Sequence, residues 1–381
     1  MCNFYFIEEK IMKLALEEIK YNKGKYFMIT FIIMLISWLV FLLTGLGNGL
    51  NTLNAATIKN INGNYLVFEK DSENKFTKST ISGTQIEKIK KLKNVDDATF
   101  LGSSMSSVSN EKGNKKTDIT IVGITNNSFI APKVVEGTIN QTNDKRVIVD
   151  KSLEKNGYKV GDHIKISGLK KVLIVGGFTE NNTFNHLPTV WLPLNLWQEI
   201  RYAAPGSDDG NSDPVNAFVL QTNSDFKVSK LTGDLSNLKV VTREDAVQAM
   251  PGYAEENGTI VLMLVFLIAI SAIIIGVFFY ILTMQKINQF GILKAMGAKN
   301  KYISRIVVSQ VALITIVGVV LGVGFTYAVA AILPKGMPFD LNNTTVILYG
   351  IGIILISLFT TIFSVKQVVK VDPLIALGRV E

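Results

Sequence analysis

The chain is poor in the residues from which most active sites are built. Of 381 residues only Cys2 is a cysteine, so no internal disulfide is possible, and an outer-face domain without a bridge fits a surface that is not a disulfide-building compartment, of the Gram-positive kind. Two histidines, His163 and His186, are not at ligand spacing, which excludes a Cys/His metal cluster. No G-x-x-x-x-G-K-[ST] loop occurs, so the chain cannot hydrolyse ATP by itself. Ser103, Ser104, Ser106 and Ser107 have neither a nucleophile elbow nor a nearby histidine, and are expected in a loop or strand edge. No catalytic residue, metal or cofactor is expected.

Charge is also missing, but only locally. Four charge-free runs, Tyr26–Leu46, Thr259–Met284, Ile306–Leu333 and Leu341–Val365, exceed the roughly 20 residues needed to cross a bilayer. The absence of ionisable groups within them argues against a proton- or ion-coupled pump, which would carry such groups in its spans. Energy must then come from outside the chain. Between the first two runs lies a polar insertion long enough to bury its own core.

The formal charge of +8 is unevenly placed. Residues 50–256 hold 25 Lys+Arg against 24 Asp+Glu, whereas the remainder holds 14 against 7. Those basic residues flank the runs at Lys10, Lys13, Lys20, Lys23 and Lys25, at Lys286, Lys294, Lys299, Lys301 and Arg305, and at Lys366, Lys370 and Arg379, while the short loop between spans three and four has only Lys335. The positive-inside rule then puts both termini and the loop between spans two and three in the cytoplasm, and the insertion outside. Orientation accounts for the basic balance, so no nucleic-acid partner is expected.

These observations predict a membrane α-helical protein with four transmembrane helices and one large extracellular α+β domain inserted between helices 1 and 2. The expected divisions are an amphipathic lead-in (1–25), helix 1 (26–48), the outer domain (49–256), helix 2 (257–284), a cytoplasmic helical loop (285–302), helix 3 (303–333), helix 4 (341–365) and a cytoplasmic tail (366–381). Met12 opens a more natural amphipathic start, so residues 1–11 read as a dispensable extension. In the outer domain, strands are expected at 65–68, 119–124, 146–149, 163–166, 171–176, 189–192, 215–220 and 238–241. Helices are expected at 85–92 and 244–250, and Gly206–Pro214 reads as a polar loop. Gly45 and Gly49 form a small-xxx-small pair suited to close helix approach in a dimer, and Gly318 and Gly322 repeat it.

The most informative stretch is Gln285–Lys301, a short basic segment pinned between two spans. Ile287, Phe290, Gly291, Leu293, Lys294 and Gly297 recur at helical steps, and Gly297 stands where such a helix would stop. The run Phe290-Gly291-Ile292-Leu293-Lys294-Ala295-Met296-Gly297-Ala298 resembles the "E-x-G-I-L-R-A-L-G-A" segment of FtsX-like, macrolide-exporter-type ABC permeases. The closing Val371-Asp372-Pro373-Leu374-Ile375-Ala376-Leu377 is similar to the "D-P-x-x-A-L" end of the same family. Gln289-Phe290 replaces the acidic residue often found before the Gly-Ile, which removes any salt bridge from that position.

The resemblance implies that Phe290, Gly291, Ile292, Leu293, Lys294, Ala295, Met296 and Gly297 form the coupling helix that docks into a separate cytoplasmic ATPase, present in two copies on a homodimer of this chain. It also implies mechanical transmission to the outer domain rather than passage through a central channel. The layout most resembles haem-efflux permeases, whose substrate would be haem or another toxic amphiphile. A regulator of a cell-wall hydrolase or sensor kinase, and a peptide or lipoprotein exporter, are the alternatives. Met250, Tyr253, Glu255 and Glu256, just outside span two, read either as a solvated helix entry or as a ligand-binding rim, since these side chains can reach haem iron or a cationic amphiphile. His186 carries the same ambiguity between a surface-loop histidine and a ligand.

Overall fold

A computed structural model describes residues 13–110, 116–138, 145–228, 235–334 and 337–368. The extension at 1–11 and the motif at 371–377 therefore lie outside the described residues. The chain divides into two units, one made of residues 1–49 with 258–381 and the other of 50–257.

The charge-free runs are helical except at Leu333, Leu341 and Asn342, since in an apolar run only a helix satisfies every backbone polar group within the segment. A lead-in helix α1 (13–21) is followed after Asn22 by α2 (Lys23–Asn60), and the later long helices are α6 (Tyr253–Met284), α8 (Asn300–Ile332) and α9 (Asn343–Val368). Among the described residues, α2, α6, α8 and α9 are the four helices long and apolar enough to cross a membrane. Six of their hydroxyls are spent internally: Thr44, Ser271, Thr283, Thr326, Ser357 and Thr361 each donate to the carbonyl four residues back.

Missing side chains set the helix contacts. A Cβ on Gly318 would lie 2.7 Å from Ile33, and one on Gly322 would lie 2.7 Å from Ser37, so α8 meets α2 along its glycine face. Gly45 and Gly49 also lie against something within the chain. The space at Gly45 is taken by the Phe339 ring (2.5 Å) and that at Gly49 by the Pro338 backbone (2.4 Å), both from the α8–α9 loop. The Asp340 amide caps this contact by donating to the Gly45 carbonyl at 2.9 Å.

In the second unit, β2 (Val95–Asn110) organises two sheets. Its first half pairs with β10 (Ala217–Thr222), which continues through β1 (Tyr65–Glu69) to β11 (Leu238–Thr242), all antiparallel. Alternation along β1 sends Leu66 and Phe68 into one core and Val67 into another, so both faces of this sheet are covered. One cover is α3 (Ile86–Lys90); another is α5 (Arg243–Gln248), opened by a capping box between Thr242 and Asp245.

The second half of β2 belongs to a closed ring. From β2 the pairing runs through β3 (Lys116–Ile124), β9 (Leu187–Pro193), β5 (Arg146–Asp150), β7 (Val172–Thr179) and β6 (His163–Ile166), and β6 returns to β2. Closure leaves no open edge among these strands. Val108, Ile121, Val149, Ile164, Val175 and Phe178 are among the side chains filling the core. The short β4 (Glu136–Gly137) adds to β7, and β8 (Thr183–Phe184) forms a hairpin with β9. Trp197 on α4 (Leu194–Arg201) closes the ring's side, seated on Gly102 and Gly123, where a Cβ would meet it at 2.4 and 2.5 Å.

Candidate functional site

The segment that bears the family-like motif folds as a nine-residue helix, α7 (Ile287–Ala295). Gly297 ends it in the left-handed region at φ +93°. Its amide donates to the Lys294 carbonyl and that of Ala298 to the Leu293 carbonyl, each at 2.9 Å, the paired bonds of a Schellman stop. Only glycine adopts this backbone without strain.

The helix has two distinct faces. Phe290 is 7 % exposed and packs with Tyr26, Ile29, Phe279, Leu282, Ile303 and Val307, flanked by Ile287 and Leu293. On the other side, Ile292 is 51 % and Met296 71 % exposed, aligned with exposed Gln289 at helical spacing. The resemblance counts Phe290 among the docking residues; here its side chain packs into the chain's own bundle. The apolar side chains of the motif that remain exposed are those of Ile292, Ala295 and Met296.

Sequence reasoning missed the group that holds α7 to its surroundings. Lys286, immediately before the helix, is buried. Its ammonium donates to the Tyr26 hydroxyl at 2.7 Å and to Gln310 Oε1 at 2.9 Å, and is ion-paired with the Glu18 carboxylate. Gln310 Nε2 also donates to Glu18, so one glutamine serves both charges. Burial draws the Lys286 ammonium below the usual lysine range, while the hydrogen bond and charge of Glu18 pull the other way. Nearby, Lys25 Nζ donates to Gln285 Oε1 at 2.9 Å. A positive charge at a helix N-terminus is unfavourable by itself, which makes Glu18 a necessary counter-charge. The only sequence signal was a lysine standing next to an apolar run with an acidic residue in the lead-in.

In the second unit, Met250 and Tyr253 turn into the core with Ala55, Ile58 and Ile61. Met250 borders a small cavity of about 30 Å³. Lys59 lies over the Tyr253 ring, 5.0 Å from its centroid. Glu255 is exposed and Glu256 half-buried. Glu256 Oε2 lies 3.2 Å from His186 Nε2 and accepts from Asn54 Nδ2 at 3.3 Å. His186 reaches it from the tip of the β8–β9 hairpin, where Asn185 and His186 both take positive φ (53° and 63°), as a two-residue type I′ turn requires. The amides of Asn185 and His186 donate to the Asn54 and Leu53 carbonyls, fixing the tip against α2. The structure thus separates the four rim residues into a buried pair and a polar pair, and adds His186 and Asn54 to the latter. Among the described residues, no group of three or more His, Cys, Asp or Glu side chains could hold a metal ion.

Comparison with known proteins agrees with both units. Residues 26–238 match the MacB-like periplasmic core domain and residues 261–373 the FtsX-like permease C-terminal domain. A putative hemin transport system permease protein HrtB of Staphylococcus haemolyticus (strain JCSC1435) is 27 % identical over 97 % of this chain and 100 % of its own. One of Staphylococcus epidermidis (strain ATCC 12228 / FDA PCI 1200) is 26 % identical over 96 % and 99 %. An uncharacterized ABC transporter permease of Mycobacterium tuberculosis (strain CDC 1551 / Oshkosh) is 22 % identical over 96 % and 98 %. Among solved structures, the periplasmic region of MacB from Actinobacillus actinomycetemcomitans aligns with a TM-score of 0.35 and 14 % identity over 50 % of this chain and 94 % of its own. With its core-domain match spanning more than half its length and the permease match taking up the helices that follow, the chain belongs to the MacB-like, FtsX-like family of ABC transporter permeases.

Proposed function

We propose that this chain is the permease subunit of an ABC exporter driven by a separate cytoplasmic ATPase, and that α7 is where the ATPase grips it. The observation that carries this reading is the division of α7 into two faces. One is locked into the bundle through Phe290, and the other offers Ile292 and Met296 to solvent. A helix with exposed apolar residues on a basic loop is suited to a protein groove. The charge asymmetry puts that loop and both termini in the cytoplasm of a bacterial cell membrane and the 50–257 unit outside. Two chains with two ATPase copies form the working assembly, as the family resemblance implies.

The substrate in this reading is haem or a similar toxic amphiphile. Full-length relatives bearing the hemin-transport name support it, and Glu255, Glu256 and His186, over the buried pair Met250 and Tyr253, are the residues assigned to its rim. ATP turnover by the purified permease–ATPase complex in lipid vesicles, titrated in parallel with haem, an antimicrobial peptide and a lipopeptide, is the test. Stimulation by haem alone is the expected outcome. Stimulation by the peptides and not by haem would move the assignment to a peptide exporter.

A further inference from the structure

We infer that Glu18 and Lys286 form the joint through which α7 drives the rest of the helix bundle. The proposal rests on α7 being the ATPase-coupling helix only for the source of the stroke; the joint itself is a property of this chain. Four separate elements meet in it. Glu18 comes from α1, Tyr26 from the first turns of α2, and Gln310 from α8, while Lys286 is the N-cap residue of α7. A second tie, from Lys25 of α2 to Gln285, lies beside the first.

The physical argument is one of stiffness. Hydrophobic contacts such as those of Phe290 resist separation but have little directional preference, so packed helices can slide by small amounts. An ion pair whose ammonium is buried and whose carboxylate is half-buried, and whose members also share hydrogen bonds with Gln310 and Tyr26, has one good geometry. Breaking it by removing one partner strands a charge away from water, which makes opening far costlier than loss of a surface pair. Glu18 is the only carboxylate bonded to Lys286 among the described residues, so α1 and α7 must move together or leave the ammonium without a counter-charge. Because Tyr26 belongs to α2, which runs unbroken from Lys23 to Asn60, a displacement of α7 is delivered to the start of a rod about 57 Å long.

Three forms of the full-length chain with its ATPase, in lipid nanodiscs, decide the matter: Glu18→Gln, Lys286→Gln, and the exchange of Glu18→Lys with Lys286→Glu. Three quantities are read. They are amide hydrogen exchange across residues 288–293, the amount of ATPase that co-purifies, and the ATP-dependent response of a fluorophore on the 50–257 unit. Glu18→Gln lies far from α7 in sequence and is nearly isosteric, so it keeps the test open should Lys286→Gln fold poorly. The expected result is exchange in α7 faster by about tenfold or more in Glu18→Gln, with the ATPase retained and the ATP-dependent response largely lost. The exchanged pair should recover both protection and response. Unchanged α7 protection in Glu18→Gln would overturn the joint, and so would lost protection with an intact response. If instead protection falls as expected while replacement of Ile292 and Met296 by Asp leaves the ATPase bound, the joint stands and the docking assignment of α7 is what fails.

Discussion

Phe290 and Ile292 lie on opposite faces of α7, the first 7 % and the second 51 % exposed. Two apolar residues of one motif therefore do different jobs, and substitutions at them should fail in different ways. Ile292→Asp with Met296→Asp should leave folding and membrane insertion intact, because neither side chain is needed by the bundle. It should release the ATPase in a pull-down, since truncating an apolar anchor in a groove costs about 2 kcal/mol or more. Phe290→Ala should instead lower the thermal stability of the isolated permease, by about 3–5 kcal/mol as for other buried aromatics. A double variant at 292 and 296 that still carries its ATPase and full ATP turnover would remove the coupling role from α7.

Membrane orientation has a direct check. With Cys2 replaced by Ser, single cysteines at Asp209, in the turn-rich 206–214 loop, and at Lys301, at the start of α8, are both exposed. A membrane-impermeant thiol reagent on intact cells should label Asp209→Cys and not Lys301→Cys; permeabilised cells should label both. Equal labelling in intact cells would be incompatible with a four-span arrangement.

The glycines of α8 offer a contrast within one helix. A Cβ on Gly318 would press on Ile33 at 2.7 Å and on the Thr30 carbonyl at 3.2 Å, whereas one on Gly324 meets nothing within 4 Å. Gly318→Leu should cost about 1–3 kcal/mol in thermal or chemical unfolding of the detergent-solubilised chain, the usual range for overpacking. Gly324→Leu should be close to neutral. Gly49→Leu should behave like Gly318→Leu, because the Pro338 backbone already occupies its slot at 2.4 Å. Equal stability of all three would mean that α2, α8 and the loop at 337–340 do not pack as described.

The architecture was legible because its signals are local. Long charge-free runs, a glycine stop at Gly297 and alternation in segments such as 163–166 each report on their own neighbourhood. What escaped depends on distant partners. Ser103, Ser104, Ser106 and Ser107 lack the branched residues that mark a strand, yet all four lie in β2 and pair in register with β3. Gly102 and Gly123 are opposed in that register and make room for Trp197, an arrangement visible only once α4 is placed. Helical spacing put Phe290 and Leu293 on one helix, but did not show which face the bundle would take. The Glu18–Lys286 pair joins ends of the sequence that no local pattern connects.

The rim beside α6 allows stability and recognition to be separated. Met250 and Tyr253 are core residues, so Met250→Ala should lower stability by about 2–5 kcal/mol. Any loss of transport in that variant should track the fraction unfolded. Glu255 and Glu256 are on or near the surface, and His186 is exposed at its hairpin tip. Contacts of that kind contribute on the order of 0–1 kcal/mol, so Glu255→Gln with Glu256→Gln should unfold at nearly the wild-type temperature. In the haem reading, the same double variant should nevertheless lose most of the haem stimulation of ATP turnover, because neutral amides are poor partners for iron or for a cationic amphiphile. His186→Ala should weaken stimulation less, as it leaves both carboxylates in place. If the glutamine variant keeps full stimulation while its ATPase remains bound, the substrate is not taken at this rim, and the two carboxylates serve only to fix the hairpin and the first turn of α6.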